Sequence, residues 1–491
     1  MKLSELLKKV DYTVIKGDVD IEIGNLVYDS RKIVEGDVFV CISGALSDGH
    51  DFIGTAILKK AAAVIVEKDI FVDDDITVVK TIDTRLALAC MSASYFGNPA
   101  DKLTTIGITG TKGKTTTTYM VKAVLESLGI KTGLIGTIET VIGDEAVPAS
   151  NTTPESYIIQ KSFAKMVDSG SKCVAMEVSS QGLMQHRVGG FVFDYGIFTN
   201  IEPDHIGKNE HKNFDEYLQC KSMLLKQCRI GIVNIDDSHI KKVLEGHTCE
   251  IETYGIDKEA NLKAENIHLY KEEGCLGIKY DLSGRINTEI SIDVPGKFSV
   301  YNSLCAIAVC LHFTDNIETI KKSLADNKVK GRVEIIPISK RFTIMIDYAH
   351  NAMSLESLLK SLREYEPARL VSLFGCGGNR DRHRRFEMGE VSSKLADLSI
   401  VTSDNPRDEE PMAIIEDILT GIHNANGKYV VIPDRKEAIR YAIKNALDGD
   451  VIVLAGKGHE DYQIIKGVKY PMDERVIINE IIKEDDIKKI L

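Results

Sequence analysis

The amino-acid sequence predicts an α/β protein built from three domains. Short runs of β-branched residues alternate with helical patterns over most of the chain, which favours largely parallel sheets covered by helices. A chain of 491 residues is too long for one compact core. Several predicted strands are followed by loops rich in Gly, Asp or Asn, and ligands gather at that edge of a doubly wound sheet. We expect domains over residues 1–98, 99–332 and 333–491.

The composition narrows the class of protein. An apolar fraction of 43% and a charged fraction of 27% are typical of a folded globular chain. The formal net charge of -12 argues against broad binding to nucleic acid or to an anionic membrane surface. No segment approaches the roughly 18 uncharged apolar residues of a membrane span. Ten cysteines without CxxC pairs favour buried free thiols in a reducing compartment. We therefore expect a cytoplasmic protein with no nucleic-acid partner and no membrane span.

Each domain is predicted from its strands in chain order. The first contains apolar runs at residues 38–44 and 61–68, and the Asn-Pro-Ala-Asp segment at residues 98–101 interrupts both periodicities like a linker. The second opens with the strand at residues 104–109. The third follows Lys-Gly-Arg at residues 330–332. Its predicted strands are residues 342–346, 370–375, 398–404, 429–434 and 451–456.

The most specific motif lies between the strand at residues 104–109 and a helical pattern. It consists of Gly110, Thr111, Lys112, Gly113, Lys114, Thr115 and Thr116. A polyphosphate needs backbone N–H groups, a helix N-terminus and a cation, and a Gly-Lys-Thr loop supplies all three. Lys114 can reach the terminal phosphates and the Thr115 hydroxyl can hold Mg²⁺. The spacing departs from the commonest form, because Ile108 stands where a glycine is usual. The motif predicts nucleotide binding and hydrolysis.

An acidic residue accompanies this loop. Residues 172–180 form an apolar strand that ends in Glu177. A carboxylate at the tip of a buried strand beside a phosphate loop is well placed to bind magnesium. We expect Glu177 to be a metal ligand.

Further strings resemble one family, the Mur ligases, in order over nearly the whole chain. They are YDSR at 28–31, SNTTPES at 150–156, MEVSSQGLMQHRV at 176–188, FTNIEPDHIG at 198–207, YNSLCA at 301–306, DYAHN at 347–351, GCGGNRDR at 375–382, DNPR at 404–407 and GKGHEDYQ at 456–463. The resemblance implies an N-terminal UDP-sugar-binding α/β domain, a central P-loop ATPase domain and a C-terminal Rossmann-like domain that binds the amino acid.

The resemblance also implies a reaction. ATP phosphorylates the D-glutamate γ-carboxylate of UDP-N-acetylmuramoyl-L-alanyl-D-glutamate, and the amine of a diamino acid attacks the acyl phosphate. A carboxylate is a poor electrophile, so phosphorylation supplies the leaving group. Lys114 and two magnesium ions would meet the charge that develops on the γ-phosphoryl group.

Metal ligands follow from the same resemblance. Thr115 and Glu177 match ligands of a first Mg²⁺, and Glu177 and His205 match ligands of a second. Lys221 matches a lysine that family members carbamylate with CO₂, which turns an ammonium into a carboxylate-like ligand. His211 is a competing polar group nearby, because the stretch between His205 and Lys221 is a longer variant.

Substrate contacts are carried over residue by residue. For the UDP-sugar peptide the matching residues are Ser30, Asn151, Thr152, Thr153, Ser179, Gln185 and Arg187, which are the donors expected for a diphosphate and for carboxylates. For ATP, beyond the loop itself, they are Asn302 at the adenine, Arg332 at the phosphates and Asp347 at the ribose. His350 lies in a family motif without an assigned role.

The third domain is expected to choose the amino acid. The residues concerned are Arg380, Asp404, Asn405, Pro406, Arg407, Gly456 and Glu460. The resemblance implies meso-diaminopimelate, whose second carboxylate a guanidinium can bind through two hydrogen bonds. Lysine carries only an ammonium at that end, and a buried arginine would repel it.

Alternatives stay open at this point. They are the lysine-adding ligase of the same family, a folylpolyglutamate-synthase-like ligase, and a phosphate-loop switch in which hydrolysis drives motion without forming a bond. The expected partners are ATP, the UDP-sugar dipeptide and meso-diaminopimelate, with a monomer as the expected state.

Overall fold

A computed structural model describes residues 1–44, 47–204, 206–207, 210–272 and 274–488, without the side chains of residues 485 and 486. The chain forms two compact units, Met1–Lys263 with Leu304–Ile320 and Ala264–Ser303 with Lys321–Leu491. The first unit contains both the first 98 residues and the sheet that carries the phosphate loop. The domain boundaries given above stay a prediction, whereas the mixed α/β architecture is confirmed.

The first sheet of unit 1 forms where the sequence is rich in valine and isoleucine. Its strands are β1 (Tyr12–Lys16), β2 (Leu26–Val27), β3 (Val38–Val40), β4 (Ala63–Val66) and β5 (Thr77–Thr81). Its helices are α1 (Leu3–Leu6), α2 (Ile53–Leu58) and α3 (Thr84–Tyr95). The strand order is β1-β5-β4-β3-β2, with only β1 antiparallel to its neighbour. Both β3 and β4 are buried along their whole length, as parallel strands covered on both faces are.

The second sheet of unit 1 carries the phosphate loop. Its strands are β6 (Thr104–Thr109), β7 (Thr132–Ile135), β8 (Glu139–Ile142), β9 (Glu145–Pro148), β10 (Cys173–Glu177), β11 (Phe193–Phe198), β12 (Cys228–Asn234) and β13 (Glu250–Gly255). Its helices are α4 (Lys114–Ser127), α5 (Ser156–Asp168), α6 (Ser180–Met184), α7 (Phe214–Ser222) and α8 (Ile240–Val243). Within unit 1 the strand order is β13-β12-β11-β6-β10-β7-β8-β9. Since β10 pairs with β6 in parallel and Glu177 lies opposite Ile108, Glu177 and the loop share one edge of the sheet.

Three elements run from one unit into the other, namely β14 (Leu262–Glu272), α9 (Lys297–Cys310) and α10 (Ile317–Asp326). Unit 2 continues with the antiparallel pair β15 (Cys275–Gly284) and β16 (Thr288–Ile292). Its larger sheet contains β17 (Glu334–Ile336), β18 (Thr343–Asp347), β19 (Arg369–Phe374), β20 (Leu398–Val401), β21 (Tyr429–Val431) and β22 (Asp450–Ala455). Only β17 is antiparallel in the order β17-β18-β22-β19-β20-β21.

Helices and one hairpin complete unit 2. The helices are α11 (Ala352–Arg363), α12 (His383–Leu395), α13 (Pro411–Ala425), α14 (Arg435–Lys444), α15 (Glu474–Ile481) and α16 (Asp485–Lys488). The hairpin consists of β23 (Tyr462–Ile465) and β24 (Val468–Pro471). Among the described residues, no helix has the length and apolar character needed to cross a bilayer.

Candidate active site

Two glycines shape the loop between β6 and α4. Gly110 has φ 150° and Gly113 has φ 87°, and L-side chains rarely adopt either conformation. A Cβ on Gly110 would lie 1.9 Å from Thr199 Oγ1, so a larger residue would displace a neighbouring strand end. Because α4 begins at Lys114, the N–H groups of its first turn point toward this loop. The loop has the backbone conformation and helix N-terminus that an anion site requires.

Lys114 bonds the loop itself, and Glu177 bonds the first turn of the helix that follows the loop. Lys114 Nζ donates hydrogen bonds to the carbonyl oxygens of Gly110 at 2.8 Å and Thr111 at 3.1 Å. Thr115 Oγ1 donates to Glu177 Oε2 at 2.9 Å, and Glu177 is only 1% exposed. The structure therefore brings together the cation, the hydroxyl and the carboxylate that the sequence indicated.

Glu177 is held by a residue that the sequence did not indicate. Thr137 donates from its backbone N to Glu177 Oε1 at 2.8 Å and from its Oγ1 to Oε2 at 3.0 Å. A Cβ on Gly136 would lie 2.5 Å from the same carboxylate, so glycine leaves room for it. These contacts fix both oxygens of a carboxylate that has lost most of its water.

Two residues directly after β11, Thr199 and Asn200, hold the loop in place. Asn200 Oδ1 accepts from Lys112 N at 2.9 Å, and its Nδ2 donates to Lys112 O at 3.1 Å. Asn200 O accepts from Thr111 N at 2.8 Å, and Thr199 Oγ1 donates to Lys112 O at 2.7 Å. One side-chain amide thus bonds both backbone polar groups of Lys112, as a neighbouring strand would, and this holds the loop in a single shape.

Lys221 on α7 is a buried residue. It is 2% exposed, its Nζ donates to Gly110 O at 2.8 Å, and it lies 4.6 Å from the centre of the Tyr217 ring. Burial, and after it the charge of Lys114, lowers the pKa of Lys221 well below that of an ordinary lysine. Tyr217 lies 3.0 Å from Thr111 Oγ1 through its hydroxyl, so α7 is tied to the loop at two points.

The two histidines expected near the metal site are His205 and His211. His205 lies outside the described residues. His211 is fully buried, and its Nε2 lies 2.8 Å from Ser180 Oγ. Among the described residues, no group of three His, Cys, Asp or Glu side chains gathers as a metal site. A Mg²⁺ held by one carboxylate, a hydroxyl and substrate phosphates needs no such group, so Thr115 and Glu177 fit this ion.

The residues expected to bind the UDP-sugar peptide join the same network. Thr153 Oγ1 donates to Glu177 O at 2.9 Å and accepts from Ser179 N at 2.9 Å. Arg187 Nη1 donates to Thr153 O at 2.8 Å, and its Nη2 donates to Gln185 Oε1 at 2.8 Å. Thr152 lies 3.0 Å from the Thr137 hydroxyl, which itself bonds Glu177. Five of the residues predicted to bind the UDP-sugar peptide are therefore linked to Glu177, namely Thr152, Thr153, Ser179, Gln185 and Arg187.

Two residues of this set lie apart from the network. Ser30 occupies a short 3₁₀ turn, and its carbonyl accepts from Lys59 Nζ at 3.0 Å. Asn151 is exposed and makes no hydrogen bond of its own within the described chain. The charged side of the network continues through Glu155, which lies 3.1 Å from Arg187 Nε and 3.4 Å from Arg85 Nη1.

In unit 2, the Asp-Asn-Pro-Arg segment follows β20. Arg407 has φ 52°, its N donates to Ile464 O at 3.0 Å, and its O accepts from Lys466 N at 2.6 Å. Its Nη1 donates to Gly378 O at 2.6 Å. The segment is thus held between the loop after β19 and the hairpin β23–β24. Arg380 lies in that loop but is exposed.

The other residues predicted to bind the amino-acid substrate cluster after the ends of β20 and β22. Asn405 Nδ2 donates to Glu460 Oε2 at 2.9 Å. A Cβ on Gly456 would lie 2.8 Å from Asp404 Oδ2, and Gly456 has φ 108°, so only glycine fits there. Pro406 O would lie 1.9 Å from a Cβ on Gly378, which shows how closely the two loops pack.

Arg332, a nucleotide candidate of unit 2, lies against an aromatic ring. The Arg332 guanidinium lies 4.6 Å from the centre of the Tyr348 ring, and His459 lies 4.8 Å from it on centroids. Asp347 accepts from Val333 N and Ala349 N, both at 2.8 Å. Burial raises the pKa of Asp347 against the opposing charge of Arg332.

Two histidines lie beside Tyr348, and a further nucleotide candidate, Asn302, lies on α9. His350 Nδ1 lies 2.8 Å from Tyr348 O, and Asn302 is a 5%-exposed residue of α9. Burial, followed by the charge of Arg332, lowers the pKa of His459 to about 4. His459 is therefore neutral at neutral pH.

Comparison with known proteins assigns the class. Residues 22–95 match the Mur ligase family catalytic domain, residues 108–310 the Mur ligase middle domain, and residues 331–458 the Mur ligase glutamate ligase domain. The chain belongs to the Mur ligase family and is an ATP-dependent ligase.

Individual relatives narrow the comparison. The chain is 46% identical to UDP-N-acetylmuramoyl-L-alanyl-D-glutamate--2,6-diaminopimelate ligase 1 of Clostridium acetobutylicum, over 99% of this chain and 100% of that protein. It is 44% identical to the corresponding ligase of Clostridium perfringens, over 98% of this chain and 100% of that protein. A solved structure of a UDP-N-acetylmuramoyl-L-alanyl-D-glutamate--2,6-diaminopimelate ligase matches with a TM-score of 0.73 at 26% identity, over 98% of this chain and 99% of that one.

Sequence reasoning missed the residues that hold others in place. They are Thr137, Thr199, Asn200, Tyr217 and Lys457. Thr199 and Asn200 lie within the FTNIEPDHIG string and Lys457 within GKGHEDYQ, so membership of a motif was the available signal. Thr137 and Tyr217 lie outside every string, and no pattern in the sequence marks them.

Proposed function

We propose that the protein joins meso-diaminopimelate to the D-glutamate of UDP-N-acetylmuramoyl-L-alanyl-D-glutamate in peptidoglycan precursor synthesis. The γ-carboxylate takes the terminal phosphoryl group of ATP and ADP leaves. The amine of meso-diaminopimelate then attacks the acyl carbon, loses a proton and expels inorganic phosphate. The names of the relatives support this choice, and so does the order of the site residues along the chain.

One observation carries the proposal more than any other. Thr115 of the phosphate loop bonds the Glu177 side chain, Glu177 O bonds Thr153, and Thr153 O bonds Arg187. A continuous hydrogen-bonded path therefore connects the residues proposed for the phosphoryl donor with those proposed for the dipeptide. A switch that hydrolyses ATP has no need of such a path, whereas phosphoryl transfer to a peptide carboxylate requires both substrates to be held together.

Lys114 and the metal ligands would meet the negative charge of the reaction. In this proposal Lys114 leaves the carbonyls of Gly110 and Thr111 and bonds the terminal phosphate instead. Thr115 and Glu177 would hold Mg²⁺, with His205 as a further ligand. A bound Mg²⁺ supplies positive charge that stabilises the transferring phosphoryl group.

The same proposal gives Lys221 a carbamate. Its neutral amine would attack the carbon of CO₂ and release a proton, which leaves an anionic carbamate on Nζ. The lowered pKa of Lys221 supports this step, because burial disfavours the ammonium. A carbamate would also place a negative charge beside Lys114, which bonds the same carbonyl oxygen of Gly110.

The choice of amino acid rests on the arginines of unit 2. We propose that Arg407, with Arg380, binds the second carboxylate of meso-diaminopimelate, while Asp404 and Glu460 face its distal ammonium. Arg407 donates from Nη1 to Gly378 O, and its guanidinium has further N–H donors for a ligand. The alternative is the lysine-adding reaction, in which Arg407 would have no carboxylate to bind.

The test is a coupled assay of ADP release with a mass-spectrometric identification of the product. ADP release is expected only when ATP, the UDP-sugar dipeptide and meso-diaminopimelate are all present. L-lysine in place of meso-diaminopimelate should give little product, and activity with lysine alone would contradict the proposed substrate. Full ATP turnover without either co-substrate would contradict the ligase reaction itself.

A matched pair of variants separates the chemistry from the fold. Lys114→Met removes the cation at the phosphates and is expected to abolish ADP release. Lys122→Met, in the same helix, removes a half-buried lysine that pairs with Glu126 at 2.7 Å and should leave activity unchanged. Site occupancy by CO₂ is tested separately, by intact-mass measurement of the adduct on Lys221 under bicarbonate.

The compartment and the oligomeric state stay predictions. All ten cysteines are free thiols, which fits a reducing cytoplasm. Light scattering tests the predicted monomer.

A further inference from the structure

Lys457, directly after Gly456, is a fully buried lysine with 0% exposure. Its Nζ donates to Asn405 Oδ1 at 3.0 Å, to Glu460 Oε2 at 2.8 Å and to Tyr462 O at 2.5 Å. An ammonium has three donors, and here each has an acceptor. Lys457 has no donor left for a ligand, so any influence it has on a substrate passes through these neighbours.

The first neighbour is fixed in one orientation. Asn405 Oδ1 accepts from both Lys457 Nζ and Ile464 N, the latter at 2.9 Å, so the Nδ2 end must point away from them. That end donates to Glu460 Oε2 at 2.9 Å. Reversing the amide would place two donors against two donors, which no buried site tolerates.

The second neighbour has one oxygen committed and one left over. Glu460 Oε2 accepts from Lys457 and Asn405, whereas within the described chain no hydrogen bond reaches its Oε1. Burial raises the pKa of Glu460, but Lys457 and the hydrogen bonds from Lys457 and Asn405 outweigh it, and the pKa lies below its ordinary value. Glu460 therefore stays ionised and presents Oε1 to a ligand.

The site holds charges of both signs. Burial raises the pKa of the Tyr462 hydroxyl, Glu460, Asp461 and Asp404 raise it further, and Arg407 lowers it. Lys457 pairs with Glu460 at 2.8 Å, and solvent screens the exposed Asp461, so within the site the Arg407 cation stands against the Asp404 carboxylate. A ligand end that carries both an ammonium and a carboxylate is complementary to such a site, whereas a bare ammonium adds an unbalanced charge.

We propose that Lys457 is a positioning residue that determines specificity. By holding Asn405 and Glu460 and neutralising one carboxylate, it makes the site prefer an amino acid whose distal end is zwitterionic to one that ends in an ammonium alone. The inference rests on the proposed function, since it takes Asp404, Asn405, Arg407 and Glu460 as the residues that receive the distal end.

The consequence of removing the charge follows from the same contacts. Without Lys457, the half-buried Glu460 keeps its negative charge and loses its cation. A bare ammonium would then replace the missing cation and bind better than before. The zwitterionic end would bind worse, because Asn405 would lose the bond that fixes its amide.

The experiment compares Lys457→Met and Lys457→Gln with the wild-type protein. The readout is kcat/KM for meso-diaminopimelate and for L-lysine, with the KM values for ATP and for the UDP-sugar dipeptide. The ratio of the two kcat/KM values should fall by about tenfold or more, while the KM values for the other two substrates stay within about twofold. A loss of activity that is equal for both amino acids would overturn the inference.

Lys469→Met is the matched control. Lys469 lies 4.0 Å from the Tyr462 ring on the exposed strand β24, so the substitution removes a neighbouring lysine without touching Asn405 or Glu460. Its specificity ratio should equal that of the wild-type protein. A fall equal to that of Lys457→Met would mean that any loss of positive charge around Tyr462 produces the effect, and would overturn the assignment.

A double variant tests whether Lys457 acts through Glu460. Lys457→Met with Glu460→Gln removes both charges, so no unpaired charge is buried and the chain is expected to fold even if Lys457→Met alone does not. In the Glu460→Gln background, adding Lys457→Met should lower the specificity ratio by less than it does in the wild-type background, because only the effect through Asn405 remains. A change as large as in the wild-type background would show that Lys457 does not act through Glu460.

The failure of this inference differs from that of the proposed function. Wild-type protein that uses neither amino acid, or lysine alone, would contradict the proposed function. Wild-type protein that prefers meso-diaminopimelate, combined with an unchanged ratio in all Lys457 variants, would contradict only the role of Lys457.

Discussion

Replacing Asn200 by alanine tests whether the loop shape limits the use of ATP. The substitution removes two hydrogen bonds between the side chain and Lys112. In one, Lys112 N donates to Asn200 Oδ1 at 2.9 Å, and in the other, Asn200 Nδ2 donates to Lys112 O at 3.1 Å. Each contributes about 1 kcal/mol net, so about 2 kcal/mol of restraint on the loop is lost. If the transition state needs the loop in this shape, kcat/KM for ATP falls about 30-fold.

Asn200→Asp sharpens this prediction. The carboxylate still accepts from Lys112 N but cannot donate to Lys112 O, and it places a negative charge beside a site for polyphosphate. Its loss of kcat/KM for ATP should exceed that of Asn200→Ala. The assay is ADP release at varied ATP with the other two substrates saturating.

The control removes an equivalent contact elsewhere. Asn445→Ala deletes one side-chain bond, from Nδ2 to Tyr441 O at 2.9 Å at the end of α14, and should leave kcat/KM for ATP unchanged. The reasoning fails if Asn200→Ala lowers thermal stability while its kcat/KM for ATP stays within about twofold of the wild-type value.

Three further predictions concern separate features. Arg407→Lys loses the planar fork that binds a carboxylate at two points, so KM for meso-diaminopimelate should rise about tenfold with no change in KM for ATP; equal changes in both constants would contradict this. His459 has a pKa of about 4, below its value of about 6.5 in the unfolded chain, so the unfolded chain takes up a proton first as the pH falls. The free energy of unfolding should therefore drop between pH 6.5 and 4, and His459→Gln should reduce this drop by about 2 kcal/mol in urea titrations, whereas an identical pH dependence would refute it. Gly110→Ala places a Cβ 1.9 Å from Thr199 Oγ1 and should abolish ADP release, while Gly54→Ala in α2, where no atom lies within 4 Å, should be active; an active Gly110→Ala would show that the loop adapts.

The fold was predictable wherever local pattern decides it. The strand at residues 104–109 has its predicted bounds, because its apolar residues are flanked by polar turns on both sides. The run at residues 38–44 was predicted too long, because the strand ends at Val40 and Gly49 N bonds Ile42 O in a loop. Strand ends depend on contacts from distant parts of the chain, and a local window does not contain them.

The candidate site was predictable for residues in motifs and not for those that support them. Lys114, Thr115 and Glu177 could be proposed from chemistry alone, since each supplies a group that a metal–phosphate complex needs. Thr137 could not, because a threonine in a loop is usually a turn residue and only the folded chain places it on Glu177. The burial of Lys221 was likewise invisible, as its helix alternates charged and apolar residues without a strong pattern.

The hairpin β23–β24 has a consequence for attempts to redesign the protein. Arg407 keeps its left-handed backbone because its N–H donates to Ile464 O and its carbonyl accepts from Lys466 N. The reach of the guanidinium is therefore set by a segment that lies more than fifty residues further along the chain. Grafting DNPR onto a lysine-adding relative without this hairpin would transfer the sequence but not the backbone conformation that positions Arg407. Exchange of amino-acid preference between relatives should succeed only when loop and hairpin are moved as one cassette.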